Sequence, residues 1–467
     1  MYIIFSAKSC ARLLISGFMM TFLCGYSVTL LADETDPMGY LSAISDDLAK
    51  ATDYKLHISG YANAHVMVHN GIPKLINPDK DLSKPLVQLR EASLFIDGTL
   101  TDNLIFSTEL DLSIDLGNQE YSGHSDRGEF LVNYYYLDYD IGGAFDWDAD
   151  DYGKFSIRGG RILVPFNDYN ENKASFEQYL MSQPYTAWQI IPVNNLPVSF
   201  HQFGWTDIGV TFNWAHNINT IGIIDLKLSV INGLGVEDGQ VLDSNAVQLD
   251  APSASNPTVR TRDGLFANKS HWNEVNDNNG NKALVLKISY KAADMPLDFG
   301  VSWYEGKWDE DDEKNLQMYG AHLNYTETDW TLRGEWVQAN VEQTAGTNPV
   351  TDPGPTLINT STGDYKMQAW YLESSFVSFR YGINNRRYLR FIARYDEVDT
   401  NNKIFFNSFN RSRISLGAEW EFINSVRLRY EWQQHTLRDF EKSPPPFREA
   451  GGGEHIYVNM VSIIAYF

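Results

Sequence analysis

The stretch Arg413-Ile414-Ser415-Leu416-Gly417-Ala418-Glu419-Trp420-Glu421-Phe422 decides the fold. Ile414, Leu416, Ala418, Trp420 and Phe422 fall on one side of a period of two, and Arg413, Ser415, Gly417, Glu419 and Glu421 fall on the other. Successive side chains of a β-strand point to opposite faces, so this is a strand with one apolar and one charged face. The pattern restarts after Ile423–Ser425, which leaves room only for a tight turn. Val426, Leu428, Tyr430 and Trp432 then alternate with Arg427, Arg429, Glu431 and Gln433.

Working outward, the same alternation marks sixteen candidate strands, at 54–69, 86–100, 104–116, 130–142, 154–166, 204–217, 222–234, 283–292, 296–309, 315–328, 330–343, 364–378, 386–400, 409–423, 425–439 and 453–467. Helical periodicity is confined to a short stretch at Ser42–Lys50. The joins alternate in length. Thr101–Asn103, His216–Ile221, Ala293–Met295 and Asp329 are short, whereas Gly71–Pro85, Gly117–Glu129, Asn167–Phe203, Gly235–Lys282, Gln343–Gly363 and Phe440–Gly452 are long and polar. Gly142–Gly153 is long for a turn, and Glu310–Lys314 is short for a loop.

Short turns on one side and long loops on the other are the pattern of an outer-membrane β-barrel. The expected fold is therefore all-β: a membrane-spanning antiparallel barrel of about 16 strands. Closure is required because an open sheet edge in lipid would leave unpaired N–H and C=O groups. Only the outward face of each strand needs to be apolar, which accounts for a negative mean hydropathy in a chain that is 13% aromatic. Trp330, Trp336, Tyr365, Tyr371, Trp420, Tyr430 and Trp432 are candidates for aromatic girdles at the membrane interfaces. A soluble β-sandwich also alternates, but it does not call for bulky apolar residues on one face of nearly every strand together with alternating loop lengths.

Residues 1–32 read as a signal peptide: Lys8 and Arg12 precede the mostly apolar Leu13–Leu31, and Ala32 precedes acidic Asp33 and Glu34. An uncleaved anchor is the rival reading. Residues 33–53 form a short periplasmic segment, and 54–467 the barrel. Both cysteines, Cys10 and Cys24, lie in the signal, which removes disulfides, Cys-ligated metals and thiol chemistry from the mature chain. Sixty acids against 37 Lys plus Arg, net charge -23, give no general basic field for nucleic acid. No H-E-x-x-H, G-x-S-x-G or phosphate-loop motif occurs, so no catalytic residue, metal site or cofactor is expected. His57, His65 and His69 share a strand face, but His65 and His69 stand about 13 Å apart at strand rise, too far to chelate one ion.

Charge is uneven along the chain. Arg386, Arg390, Arg394, Arg411, Arg413, Arg427 and Arg429 share the non-apolar faces of strands near the C-terminus, and Arg333 does the same earlier beside Glu335. On the third strand Glu109, Asp111 and Asp115 share the non-apolar face. With the apolar faces on lipid, these eight arginines and three acids line the lumen as a basic and an acidic wall. Arg offers a planar fork to phosphate or carboxylate and stays charged at any relevant pH. Pairing within the lumen is the alternative, because Glu419, Glu421 and Glu431 are close by in sequence. The long segment Asn167–Phe203 follows the fifth strand. With Asp168, Glu171, Lys173, Glu177, Tyr179 and three prolines, it is the candidate constriction loop.

Several local patterns resemble the phosphate-selective porin O and P family. They are Leu89-Arg90-Glu91-Ala92-Ser93-Leu94-Phe95-Ile96-Asp97-Gly98, Gly159-Gly160-Arg161-Ile162-Leu163-Val164-Pro165-Phe166, Asp207-Ile208-Gly209-Val210, Ile231-Asn232-Gly233-Leu234-Gly235, Tyr319-Gly320-Ala321 and Ala393-Arg394-Tyr395, in the expected order. The final strand, with Val461, Ile463 and a terminal Phe467 in phase, is also typical of outer-membrane barrels. The resemblance implies a sixteen-stranded homotrimeric porin that passes small hydrophilic solutes, with anions such as phosphate first, and that sits among outer-membrane lipid and lipopolysaccharide. A general or cation-leaning porin is the runner-up, and a plugged barrel with an adhesive or structural role is the alternative from another class.

Overall fold

The computed structural model describes residues 55–70, 86–114, 129–172, 177–186, 205–218, 221–234, 246–249, 259–262, 280–308, 312–342, 364–382, 387–399, 402, 410–437 and 455–467. The expected signal peptide and periplasmic segment lie outside them.

Sixteen antiparallel strands close a barrel. In chain order they are β1 Lys55–Asn70, β2 Leu86–Thr101, β3 Leu104–Ile114, β4 Glu129–Asp140, β5 Lys154–Leu163, β6 Thr206–Ile218, β7 Gly222–Ile231, β8 Ala283–Ala292, β9 Leu297–Lys307, β10 Asn315–Thr326, β11 Trp330–Val341, β12 Tyr365–Tyr381, β13 Arg387–Asp399, β14 Asn410–Ile423, β15 Val426–Leu437 and β16 His455–Tyr466. Each strand pairs with its sequence neighbours, and β1 closes on β16 with Tyr61 opposite Tyr466 and His65 opposite Ser462. All inter-strand hydrogen bonds are thereby made within the wall, as a lipid environment demands. A separate two-stranded pair, Ala246–Leu249 with Val259–Arg262, lies in the join between β7 and β8.

The period of two holds around the barrel. Ile414, Leu416, Trp420, Leu428, Tyr430, Val461 and Ile463 are exposed on the outer surface, and Arg413, Glu419, Arg429 and Glu431 are buried inside. Trp330, Trp420 and Tyr430 are exposed outward as expected. Tyr371 is a correction: it shares the inward face of β12 with Met367, Ala369 and Glu373 and is buried. The inward run Met367, Ala369 and Tyr371 is apolar while Lys366 and Gln368 fall on the outward parity, so alternation assigns this half of β12 to the wrong face.

The over-long join after β4 contains two one-turn helices, α1 Ile141–Ala144 and α2 Ala149–Tyr152, capped by Asp140 and Asp148. A third feature is an apolar cluster inside the barrel. Leu316, Met318, Val337, Ala339, Val341, Met367, Ala369 and Val398, from the half of β10–β13 that bears the long joins, pack against Val164, Phe166 and Tyr185 of the segment following β5. The lumen is therefore not lined by polar groups throughout.

Candidate functional site

Of the segment after β5, residues 164–172 and 177–186 run inside the barrel. Its polar contacts fall on the walls from β7 to β15. At its start, the Asn167 N–H donates to Ser302 Oγ at 2.9 Å, and the N–H groups of Asp168 and Tyr169 donate to Glu335 Oε1 at 2.9 and 2.6 Å. Thr186 Oγ1, where the described loop ends, donates to Glu335 Oε2 at 2.9 Å. One carboxylate on β11 thus holds both ends of the described part of the loop.

Further along, Glu171 accepts from Lys227 on β7 at 2.5 Å and from Lys287 on β8 at 2.6 Å. Burial by itself would raise the Glu171 carboxyl, but the two ammonium groups outweigh it and pull the group down to about 2. Met181 and Ser182 donate their N–H groups to Glu431 Oε2 at 2.7 and 3.0 Å, and Tyr185 donates its own to Asp396 at 3.1 Å. Burial raises the Tyr185 hydroxyl pKa against the opposing pull of Arg411 and Arg413, and its oxygen lies 2.9 Å from His435 Nδ1. Hydrogen bonds to charged groups contribute about 1.5–3 kcal/mol each, so this set offsets part of the entropy lost in ordering a long loop.

Two wall glycines make room for the loop. A Cβ on Gly320 would stand 2.2 Å from the Asn167 side chain, and one on Gly417 would stand 2.4 Å from Leu180. Both loop residues occupy space that any larger wall side chain would fill.

Six of the inward arginines are tied to acids. Arg333 meets Glu373 at 2.7 Å, and Arg390 meets Glu419 at 3.1 Å. Arg394 meets Asp396 at 2.9 Å and Glu373 at 3.4 Å, while Arg413 forks onto Asp396 at 3.0 and 3.1 Å. Arg427 meets Glu421 at 3.1 Å, and Arg429 meets Glu419 at 2.5 Å. Arg411 lies over the Tyr185 ring, 5.0 Å from its centroid. Tyr179 is held between two guanidiniums, with Arg333 at 4.3 Å and Arg390 at 4.1 Å from its ring. Arg394 and Arg413 also donate to the Gln183 carbonyl. The basic face thus pairs with carboxylates and docks the loop rather than standing open.

On the opposite wall Glu109 accepts from Asn133 at 2.7 Å, and Asp111 accepts from Ser93. Asp168 accepts from Asn324 at 2.8 Å. Glu177 is exposed on the loop. Arg386, Asp115 and Lys173 lie outside the described residues. Sequence reasoning missed Lys227, Lys287, Glu373 and Asp396 as loop-holding or arginine-holding groups. Their parity on β7, β8, β12 and β13 was the available signal, because each shares the inward face of its strand.

No family model matches the sequence. An uncharacterized protein of Aquifex aeolicus (strain VF5) is 22% identical over 349 residues, 73% of this chain and 66% of that protein, so the chain spans just under two thirds of that relative. Among solved structures, an anion-selective porin from Comamonas acidovorans is similar with TM-score 0.51 and 12% identity, over 89% of this chain and 100% of that one. Salmonella typhi OmpF (TM-score 0.49, 12% identity, 88% and 98% covered) and the outer-membrane channel DcaP of Acinetobacter baumannii (0.47, 9%, 89% and 97%) are looser matches. The fold is that of an outer-membrane porin. The closed sixteen-stranded wall and its apolar outer surface place the protein in the bacterial outer membrane.

Proposed function

We propose that the protein is a passive diffusion channel for small hydrophilic solutes with little charge selectivity, its lumen narrowed by the loop after β5. The observation that carries this reading is the ion pairing of the arginine face. Arg333, Arg390, Arg394, Arg413, Arg427 and Arg429 each stand within 3.1 Å of a carboxylate. A charged ring selects ions by its net field, and a cation beside an acid contributes little to it. The general porin, leaning to cations through the overall excess of acids, therefore has more support than a phosphate channel.

An anion-preferring channel is the second reading. It draws on the density of inward arginines and on the described selectivity of the Comamonas porin, whose likeness here is one of fold. The apolar cluster inside β10–β13 supports a third reading, in which the barrel is closed. A trimer is proposed only from the resemblance to the phosphate-selective porins. Planar-bilayer recordings in a salt gradient separate these readings. A small reversal potential on the cation side supports the proposal, a clear anion-side potential supports the second reading, and no conductance supports the third.

A further inference from the structure

The join between β4 and β5 reads Ile141-Gly142-Gly143-Ala144-Phe145-Asp146-Trp147-Asp148-Ala149-Asp150-Asp151-Tyr152. It is far longer than a turn between neighbouring strands needs. It stands at the end of the barrel where β1 begins, β16 ends and the short turns lie, which the length rule makes periplasmic.

Its aromatic side chains are not tucked away. Phe145, Trp147 and Tyr152 are 67%, 46% and 62% exposed. They are nevertheless ordered among themselves. Phe145 stacks on Trp147 with centroids 5.8 Å apart, Trp147 meets Phe155 edge-on at 5.6 Å, and Phe155 lies 6.1 Å from Trp214. Phe155 and Trp214 are paired residues on the outward faces of β5 and β6, alongside exposed Phe212. The join thus continues the barrel's lipid-facing surface beyond the ends of the strands.

The platform is fastened to the wall. Trp214 Nε1 donates to the Tyr152 carbonyl at 2.9 Å. Gly153 has φ of 80°, and a Cβ there would stand 2.7 Å from both the Ala215 carbonyl oxygen and Trp214 Nε1, so only glycine allows this approach.

The chemistry of the patch is one-sided. Acids alternate with aromatics at Phe145-Asp146-Trp147-Asp148, and Asp150 and Asp151 follow, with no Lys or Arg in residues 141–152. Asp148 also caps α2 through the Asp150 N–H at 2.9 Å. Lys154, the next cation along the chain, stands on the inward face of β5, opposite Ala215. Aromatic faces and carboxylates together attract an ammonium group and repel a headgroup with net negative charge.

We propose that residues 141–152 form a membrane-interface platform that binds phospholipids with an ammonium headgroup, of the phosphatidylethanolamine type, in the inner leaflet. The rings take the level of the glycerol backbone and the carboxylates meet the ammonium groups. Continuity with the lipid-facing surface of β5 and β6 makes lipid the occupant, and the run of acids selects its headgroup.

The test uses the full-length barrel in membranes of mixed phosphatidylethanolamine and phosphatidylglycerol, with folding verified by heat-modifiable gel migration and retained lipid read by native mass spectrometry. The wild type should retain phosphatidylethanolamine over phosphatidylglycerol by about two- to fivefold, the range that exposed contacts of an ammonium with carboxylates and aromatic faces supply. D146N/D150N/D151N should keep lipid but lose the preference, and F145A/W147A should retain less of both lipids. Equal retention by the wild type, or an unchanged preference in the triple variant, overturns the proposal. So does a folded F145A/W147A protein that keeps its lipid and instead falls from an oligomer to single barrels, which would make the patch an interface between copies.

Discussion

Arg413 Nη2 stands 3.0 Å from Asp396 Oδ1, while Nε of the same guanidinium donates to Oδ2 at 3.1 Å. This is a bidentate fork across the β13–β14 pair, with both partners buried. A guanidinium so engaged is not offered to a passing anion. Arg333 and Arg429 are engaged more simply, each onto a single oxygen, of Glu373 at 2.7 Å and of Glu419 at 2.5 Å, and ion selectivity should follow from this pairing.

Glu419 offers the sharpest handle, because Arg390, Arg427 and Arg429 converge on it at 3.1, 3.9 and 2.5 Å. Glu419→Gln removes one negative charge from among three positive ones. The reversal potential in a salt gradient should move towards anions relative to wild type, with the barrel still folded. An unmoved potential would show that ions do not sense this wall.

Glu335 clamps the loop at Asp168, Tyr169 and Thr186. Glu335→Ala removes all three bonds, at about 1.5–3 kcal/mol for each bond to a charged acceptor. The loop should loosen without unfolding the wall. Single-channel records should show larger or noisier conductance steps, and limited proteolysis should cut within residues 167–186 while the barrel survives.

Gly320 makes way for Asn167, so Gly320→Leu fills the space that the start of the loop occupies. Conductance should change in the same direction as in Glu335→Ala, since both variants undock the same end. Opposite changes in the two variants would mean that the loop does not set the conductance.

The Glu171 link to Lys227 and Lys287 carries a pH signature. Its folded-state pKa of about 2 lies below the ordinary 4.5, so the stabilisation is full above about 4.5 and is lost as pH falls towards 2. It amounts to a few kcal/mol. Conductance and loop protection should therefore hold from neutral pH to about 5 and change below 4.5, and Glu171→Gln should show the altered state at neutral pH.

Much of the wall was legible in advance because a half-lipid, half-lumen strand writes its two environments into alternate residues. The runs Ile414–Phe422 and Val426–Gln433 have that form, and sixteen strands lie close to their expected positions. The reading failed where the inward face is apolar. Met367, Ala369 and Tyr371 point inward on β12, while Lys366 and Gln368 lie on its outward parity beside Trp370 and Leu372, so the local alternation there points to the wrong face.

The site was legible as composition but not as pairing. Arginines and acids could be assigned to one face of each strand. Which acid takes which arginine depends on register between strands, and the partners of the loop lie up to 250 residues away in sequence, as for Met181 with Glu431. The platform at 141–152 was visible only as a turn that was too long.

The central claim is that ion pairing with carboxylates keeps six of the inward arginines from giving the lumen a strong preference for anions. The most direct test is the zero-current reversal potential of the purified wild-type channel in a planar bilayer under a tenfold KCl gradient. The account predicts a small potential on the cation side. A large potential on the anion side, abolished by Arg390→Ala and Arg427→Ala, would contradict it.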